Sequence, residues 1–330
     1  MAGEAQQADR FYGGIDVGGT NFTAGVIDRQ GTLLGVVKEE TRAYEAEEEV
    51  VARFVDGIRH AASSGGLDLR HLAGVAVALP GLVDDERGEV EFITNFPGHW
   101  RGVPLRAMME PELGVPVHLL NDVRAFTLGE TAFGAGRGVR NVVGIAIGTG
   151  IGGGVVIDGK LHLGIQGSAG EVGHMTIVPN GPRCECGSFG CLEALASGPA
   201  IATMAIKAIK QGTATSMREM SGNDLNKVDT RLIAEAAAQG DAIAREIIHK
   251  AGEYLGLGIS NLITVLSPDM VIVGGGVSLI GRPLFDAIEE TVRRSVFLVP
   301  LDRVRIVPAE LGTQAGVLGA AAWAMRHSGS

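Results

Sequence analysis

An α/β protein with much parallel sheet, built as two related halves, is the fold class this sequence predicts, on three observations. Apolar, β-branched segments alternate with segments of helical periodicity. A strand running into a glycine turn and a threonine occurs in both halves of the chain, the mark of an internal duplication. The 330 residues also exceed the roughly 100–200 that one domain usually takes.

The first half opens with Tyr12-Gly13-Gly14-Ile15-Asp16-Val17-Gly18-Gly19-Thr20-Asn21 and continues through apolar runs at 23–28 and 32–37. The pattern predicts a strand, a glycine turn and a meander. Val50, Val51, Phe54 and Ile58 stand at helical spacing and predict a helix over 47–62. Glu47, Glu48 and Glu49 then fall in its first turn, where negative charge suits the helix dipole. The second half begins Asn141-Val142-Val143-Gly144-Ile145-Ala146-Ile147-Gly148-Thr149-Gly150-Ile151-Gly152-Gly153-Gly154, repeating the design of the first. A polar stretch at 211–230 reads as loop, whereas 231–251 and 285–297 read as helices. Met270-Val271-Ile272-Val273-Gly274-Gly275-Gly276 is a further strand running into glycines.

Composition excludes several function classes. A hydrophobic share of 45% with 20% charged residues describes a globular chain able to build a large core. A formal net charge of -10 provides no basic footprint for nucleic acid. No apolar run reaches the roughly 18 residues of a membrane span, and the first ten residues lack a signal-peptide core. The expectation is a cytoplasmic protein with neither nucleic acid nor membrane as partner.

The 50 glycines, about twice the usual share, cluster after apolar runs. Backbone N–H groups unshielded by side chains form nests for phosphate oxygens, to which Thr20 and Thr149 add hydroxyl donors. Asp16, at a strand end beside such a nest, is placed to hold Mg²⁺ through water. The alternative for the Asp-x-Gly-Gly-Thr turn is a tight turn without ligand, and neither loop matches the Walker or Rossmann pattern. The three cysteines all lie in Cys184-Glu185-Cys186-Gly187-Ser188-Phe189-Gly190-Cys191, ten positions after His174. Three thiolates and one imidazole complete a closed tetrahedral zinc site. The alternative, three reduced and buried thiols, would scatter them along the chain.

Together, Asp16-Val17-Gly18-Gly19-Thr20, Leu120-Asn121-Asp122, Gly148-Thr149-Gly150-Ile151-Gly152-Gly153-Gly154, Glu171-Val172-Gly173-His174 and the Cys-x-Cys-Gly-x-x-Gly-Cys-Leu-Glu stretch resemble the ROK family of sugar kinases and bacterial repressors. The resemblance runs from about Phe11 to the C-terminal helix. It implies an actin/hexokinase-like (ribonuclease H-like) fold of two α/β lobes with a duplicated core and an inter-lobe cleft for sugar and ATP. The smaller lobe would take 10–122, joined by a returning C-terminal helix at about 313–327, and the larger lobe 123–312 with the zinc site.

Carried over residue by residue, the resemblance makes Asp122 the catalytic base. Asn95, Asn121, Asp122, Glu171, His174 and Glu193 would bind the sugar. His174 would serve zinc through one ring nitrogen and sugar through the other, with Cys184, Cys186 and Cys191 as the remaining ligands. Asp16, Gly18, Gly19, Thr20, Asn21, Gly148, Thr149, Gly150, Gly274 and Gly275 would hold ATP and Mg²⁺. On the residues alone, Asn121-Asp122 reads equally as a turn or helix cap, Asn95 as a turn residue and Glu193 as a surface helix residue.

Three readings compete: a sugar kinase, a sugar-responsive repressor and a non-catalytic relative. Repressors of the family carry a winged helix-turn-helix, for which Met1 to Arg10 leaves no room, and tend to lose the Asp-x-Gly-Gly-Thr loop that stands complete here. The segments 95–105 and 191–199 look most like glucokinases. Glucose 6-phosphorylation by a homo-oligomer, dimer or tetramer, is the expectation. Kinases of N-acetylmannosamine, N-acetylglucosamine, mannose or fructose are the alternatives.

Overall fold

The computed structural model describes residues 10–93 and 96–328. Asn95, and the first nine residues on which the expectation about a reader head rests, lie outside that range. In chain order the elements are β1 (Phe11–Val17), β2 (Asn21–Ile27), β3 (Leu33–Glu40), α1 (Glu47–Ser64), β4 (Leu72–Leu79), β5 (Leu82–Asp84), β6 (Glu89–Phe92), α2 (Leu105–Leu113), β7 (Val117–Asn121) and α3 (Asp122–Phe133). There follow β8 (Val142–Ile147), β9 (Ile151–Ile157), β10 (Lys160–Leu161), α4 (Leu192–Ala196), α5 (Gly198–Lys210), α6 (Met217–Met220), α7 (Thr230–Ala238), α8 (Ala242–Leu266), β11 (Met270–Gly274), α9 (Arg282–Ser295), β12 (Arg305–Pro308) and α10 (Ala315–His327).

Two five-stranded sheets share one topology. The first runs β3-β2-β1-β4-β7 and the second β10-β9-β8-β11-β12. In the first, β1 is antiparallel to β2 and parallel to β4, and β4 is parallel to β7. In the second, β8, β11 and β12 are parallel in the same way. The strand, glycine turn and further strand read in each half is thus the start of the same five-stranded motif. Parallel strands buried on both faces carry near-continuous apolar runs, which is how β4 (Leu-Ala-Gly-Val-Ala-Val-Ala-Leu) and β11 read.

The chain forms two compact units. One runs up to Arg140 and includes Gly154–Gly170 and the chain from Ala309 on; the other is Asn141–Gly153 with Glu171–Pro308. The first unit therefore keeps 123–140 and 154–170, beyond the limits of 122 and 313 read from the sequence. For 123–140 the cause is the packing of α3 on α10. A Cβ on Gly129 would lie 2.3 Å from the Ala315 carbonyl oxygen, and one on Gly319 1.7 Å from that of Ala125, so two glycines bring the helix backbones into contact. The fully buried Glu130 adds to the join by accepting from the N–H groups of Ala135, Glu310 and Leu311 at 3.0, 3.1 and 2.8 Å.

The first unit buries a cluster around Ile15, Val77, Phe54 and Trp100, in which Phe22 and Phe54 meet edge to face at 5.1 Å. A second cluster, of α3 and α10 residues with Tyr12, Ala76 and Leu120, covers the other sheet face. In the second unit Ile145, Ile147, Val271 and Val273 of the sheet pack with Ile201, Ile259 and Ile288 of α5, α8 and α9. The helix read over 231–251 is two, α7 and α8, parted at Gln239-Gly240-Asp241. Gly240 has φ 103°, outside helical space, and Asp241 caps α8 by accepting from Ala244 N–H at 3.0 Å. Among the described residues no helix is long and apolar enough to cross a membrane.

Candidate active site

In the first unit the ends of β1 and β7 bring two carboxylates together. Asp16 is the penultimate residue of β1 and Asp122 the first residue of α3, directly after β7. Burial pushes the Asp16 carboxyl up to about 6. Burial, and then the negative charge of Asp16, push Asp122 up to about 7, against the opposing bond from Val123 N–H. Neither side chain is sealed from solvent, but protein surrounds both. A carboxylate that titrates near neutrality and sits at a helix start is suited to take up a proton.

The loop after Asp16 is held from both sides. Gly18 N–H donates to the Asn21 carbonyl at 2.9 Å, closing the turn, and the buried Thr41 donates its hydroxyl to the Gly18 carbonyl at 2.7 Å. Thr41 N–H also donates to the Thr20 carbonyl at 2.9 Å. Gly18, Gly19 and Thr20 are left exposed. Asn121 is the N-cap of α3: its Oδ1 accepts from Val123 and Arg124 N–H at 3.1 and 3.2 Å, and its amide donates to the Gly81 carbonyl at 3.0 Å. Asn121 Oδ1 is thus committed to the cap, and its amide group carries a second N–H besides the one donated to Gly81.

In the second unit the corresponding loop is Gly148-Thr149-Gly150. Gly148 N–H donates to the Gly150 carbonyl at 2.8 Å, and Gly198 N–H, at the start of α5, donates to the Gly148 carbonyl at 2.9 Å. A cavity of about 360 Å³ opens beside the loop, lined by Thr149, Pro199, Val228, Asp229, Gly276 and Val277 among others. Gly274 ends β11, and Gly275 sits against the strand before the loop, where a Cβ would lie 2.4 Å from the Ile147 carbonyl oxygen. An apolar-walled cavity next to a glycine loop and a helix N-terminus suits a ligand with one flat apolar end and one anionic end.

Beyond the loop, His174, Cys184, Cys186 and Cys191 offer ligand atoms that all lie within 4.8 Å of one another. Cys184 Sγ is 3.7 Å from His174 Nδ1, and Cys186 Sγ is 3.7 Å from Cys191 Sγ. Ligands about 2.3 Å from a tetrahedral centre stand about 3.8 Å apart, so the set fits a zinc ion. Burial pushes the Cys184 thiol up to about 12 and raises that of Cys191, whereas the Ser188 N–H, as the largest cause, lowers that of the exposed Cys186. With Nδ1 turned to Cys184, the other ring nitrogen of His174 is left for a second partner.

Glu171 precedes the short turn Val172–His174 and is exposed, as is His174. Glu193, in the first turn of α4, is half-buried; its Oε2 accepts from Ile151 N–H at 2.9 Å and its Oε1 lies 3.8 Å from Cys184 Sγ. The residues singled out from sequence thus divide between the units: Asp16, Gly18, Gly19, Thr20, Asn21, Asn121 and Asp122 in the first, and Gly148, Thr149, Gly150, Glu171, His174, Glu193, Gly274, Gly275 and the three cysteines in the second. Thr41, the cavity wall at Val228 and Asp229, and Gly316 of α10, which presses on Asp16, escaped the sequence reading. No local motif marks them: each meets the site through segments that are not adjacent to it in sequence.

A model of the ROK family matches residues 12–327. A glucokinase of Thermotoga maritima is 37% identical over 308 residues, spanning 93% of this chain and 95% of its own. A xylose repressor of Caldicellulosiruptor bescii is 31% identical over 275 residues, spanning 83% of this chain and 68% of its own. Among solved structures, a ROK family glucokinase from Streptomyces griseus in complex with glucose and AMPPNP matches with a TM-score of 0.81 at 34% identity, over 96% of this chain and 99% of that one. The two sheets of identical topology are those of the actin-like fold that such kinases share.

Proposed function

The chain belongs to the ROK family, and on that footing we propose that it is an ATP-dependent sugar kinase that converts glucose to glucose 6-phosphate. The observation that carries this reading is the Asp16–Asp122 pair, a carboxyl poised near pH 7 beside a second carboxylate at the lip of a glycine loop. A repressor needs neither a base nor a metal carboxylate, and so the pair favours catalysis over the regulatory role of some relatives. The glucokinase names of the relatives support glucose as the acceptor.

In this reading Asp122 accepts the proton of the sugar's 6-hydroxyl as its oxygen bonds to the terminal phosphorus and the bond from that phosphorus to the bridging oxygen breaks, releasing ADP. Glycine N–H groups of Gly18-Gly19-Thr20 and Gly148-Thr149-Gly150, with the two threonine hydroxyls, hold phosphate oxygens, and the cavity at Val228 and Val277 takes the nucleoside. Asn21, Gly274 and Gly275 support the same ligand. Burial alone raises Asp16, a cost that a neighbouring cation offsets, so its carboxylate fits Mg²⁺, which when bound neutralises phosphate charge. Asn95, Asn121, Glu171, His174 and Glu193 take the other sugar hydroxyls, since a buried hydroxyl left unpaired costs about 1–3 kcal/mol. His174, Cys184, Cys186 and Cys191 would hold zinc, which when bound would fix the His174 ring.

A coupled assay of ADP release with Mg-ATP and glucose, mannose, fructose, N-acetylglucosamine and N-acetylmannosamine tests the reading. The expected result is turnover with glucose foremost. Preference for an N-acetylhexosamine keeps the mechanism and changes the substrate, and absence of turnover with every sugar overturns the kinase.

A further inference from the structure

Ile151, the first residue of β9, is gripped from two directions. Its N–H donates to Glu193 Oε2 at 2.9 Å, and its carbonyl oxygen faces Gly173 so closely that a Cβ there would stand 1.9 Å away. Gly150, immediately before it, also lies close to the same carboxylate: a Cβ would stand 2.5 Å from Glu193 Oε2. The phosphate-loop end is thereby fastened to the Glu171-Val172-Gly173-His174 turn and to α4, and the fastening group is a half-buried carboxylate.

We infer that Glu193 is a positioning residue for the nucleotide as well as a sugar ligand, holding Gly148-Thr149-Gly150 in its phosphate-binding shape through Ile151 N–H. The inference rests on the kinase reading. Its physical content is that reach, not charge, governs the nucleotide side: a glutamine keeps an oxygen at the same distance from Ile151, whereas an aspartate keeps the charge and falls one methylene short. Sugar binding shows the opposite preference, because a carboxylate accepts from hydroxyls more strongly than an amide does.

The test is isothermal titration of AMPPNP, without sugar, into the full-length wild type, Glu193→Gln and Glu193→Asp, with glucose titrations run separately. Glu193→Asp is expected to weaken AMPPNP binding roughly tenfold or more, and Glu193→Gln to stay within about twofold of wild type. Glu193→Asp binding AMPPNP like the wild type overturns the inference, as does Glu193→Gln losing as much as Glu193→Asp. If the wild type itself binds no AMPPNP, the kinase reading fails and the inference falls with it.

Discussion

Gly316, in the first turn of α10, lies against the Asp16 carboxylate so closely that a Cβ there would stand 2.3 Å from Oδ2 and 2.4 Å from Cγ. The absence of a side chain at 316 therefore sets where Asp16 can be. Gly316→Ala is expected to displace the carboxylate, raise the Mg²⁺ concentration needed for half-maximal turnover and lower kcat by about 10²-fold, the scale that a shift of about 1 Å brings. Circular dichroism showing an intact helix content and a steady-state Mg²⁺ titration check this. An unchanged Mg²⁺ requirement would show that Asp16 tolerates the methyl group.

Asp122 gives a pH signature of two kinds. As a base titrating at about 7, it must be ionised to work, so kcat/KM should rise with pH through that value and fall below it. Asp122→Asn is expected to lower kcat by about 10²–10⁴-fold while retaining glucose binding. The stability effect has the opposite sense. Because the folded-state value is raised from 3.8, the native state holds its proton more tightly than the unfolded chain. That contribution is fully present below about pH 4 and is lost as pH rises through 7. Asp122→Asn should therefore be more stable than wild type at pH 8, with the advantage gone at pH 4, as urea unfolding at the two pH values would show.

Much of this was legible in the sequence, because glycine turns after apolar runs are local signals. The meander from Phe11 to Glu40 and its counterpart from Val142 could be read for that reason, and so could the cysteine cluster, whose three thiols fall within eight consecutive positions beginning ten after His174. Contacts between distant segments were not legible. Gly316 lies 300 residues from Asp16, and nothing in its neighbourhood distinguishes it from the glycine at 319, which instead serves the contact with α3. The break at Gly240 was missed since the apolar spacing of Ile233, Ala236 and Ala237 resumes, nearly in phase, at Ala244 and Ile247. Asn121 read as either a cap or a ligand, and its Oδ1 is the cap.

The metal cluster predicts one zinc per chain. Metal analysis of the purified protein should find it at a one-to-one ratio, and Cys191→Ser, at a fully buried ligand, should lose it. Zinc removal by a chelator should lower Tm and weaken glucose binding, because the His174 ring and the chain from Cys184 to Cys191 lose their common anchor. Full zinc-free stability, with all three thiols reacting freely with Ellman's reagent, would remove zinc from the account.

Glu130 tests what holds α3 to the segment leading into α10. The side chain is wholly buried and satisfies three backbone N–H groups, on Ala135, Glu310 and Leu311. Glu130→Ala orphans all three donors, at about 1–3 kcal/mol for each buried group left unpaired, and a loss of at least about 3 kcal/mol in urea unfolding is expected. Glu130→Gln can keep only its amide oxygen as an acceptor, so the two oxygens that share three donors in the native protein are replaced by one, and its loss should fall between the two. Since α10 also carries Gly316, the same variants should raise the Mg²⁺ requirement in proportion to their destabilisation. If they destabilise the fold without that change, the join acts on stability alone and Asp16 is placed by Gly316 independently of it.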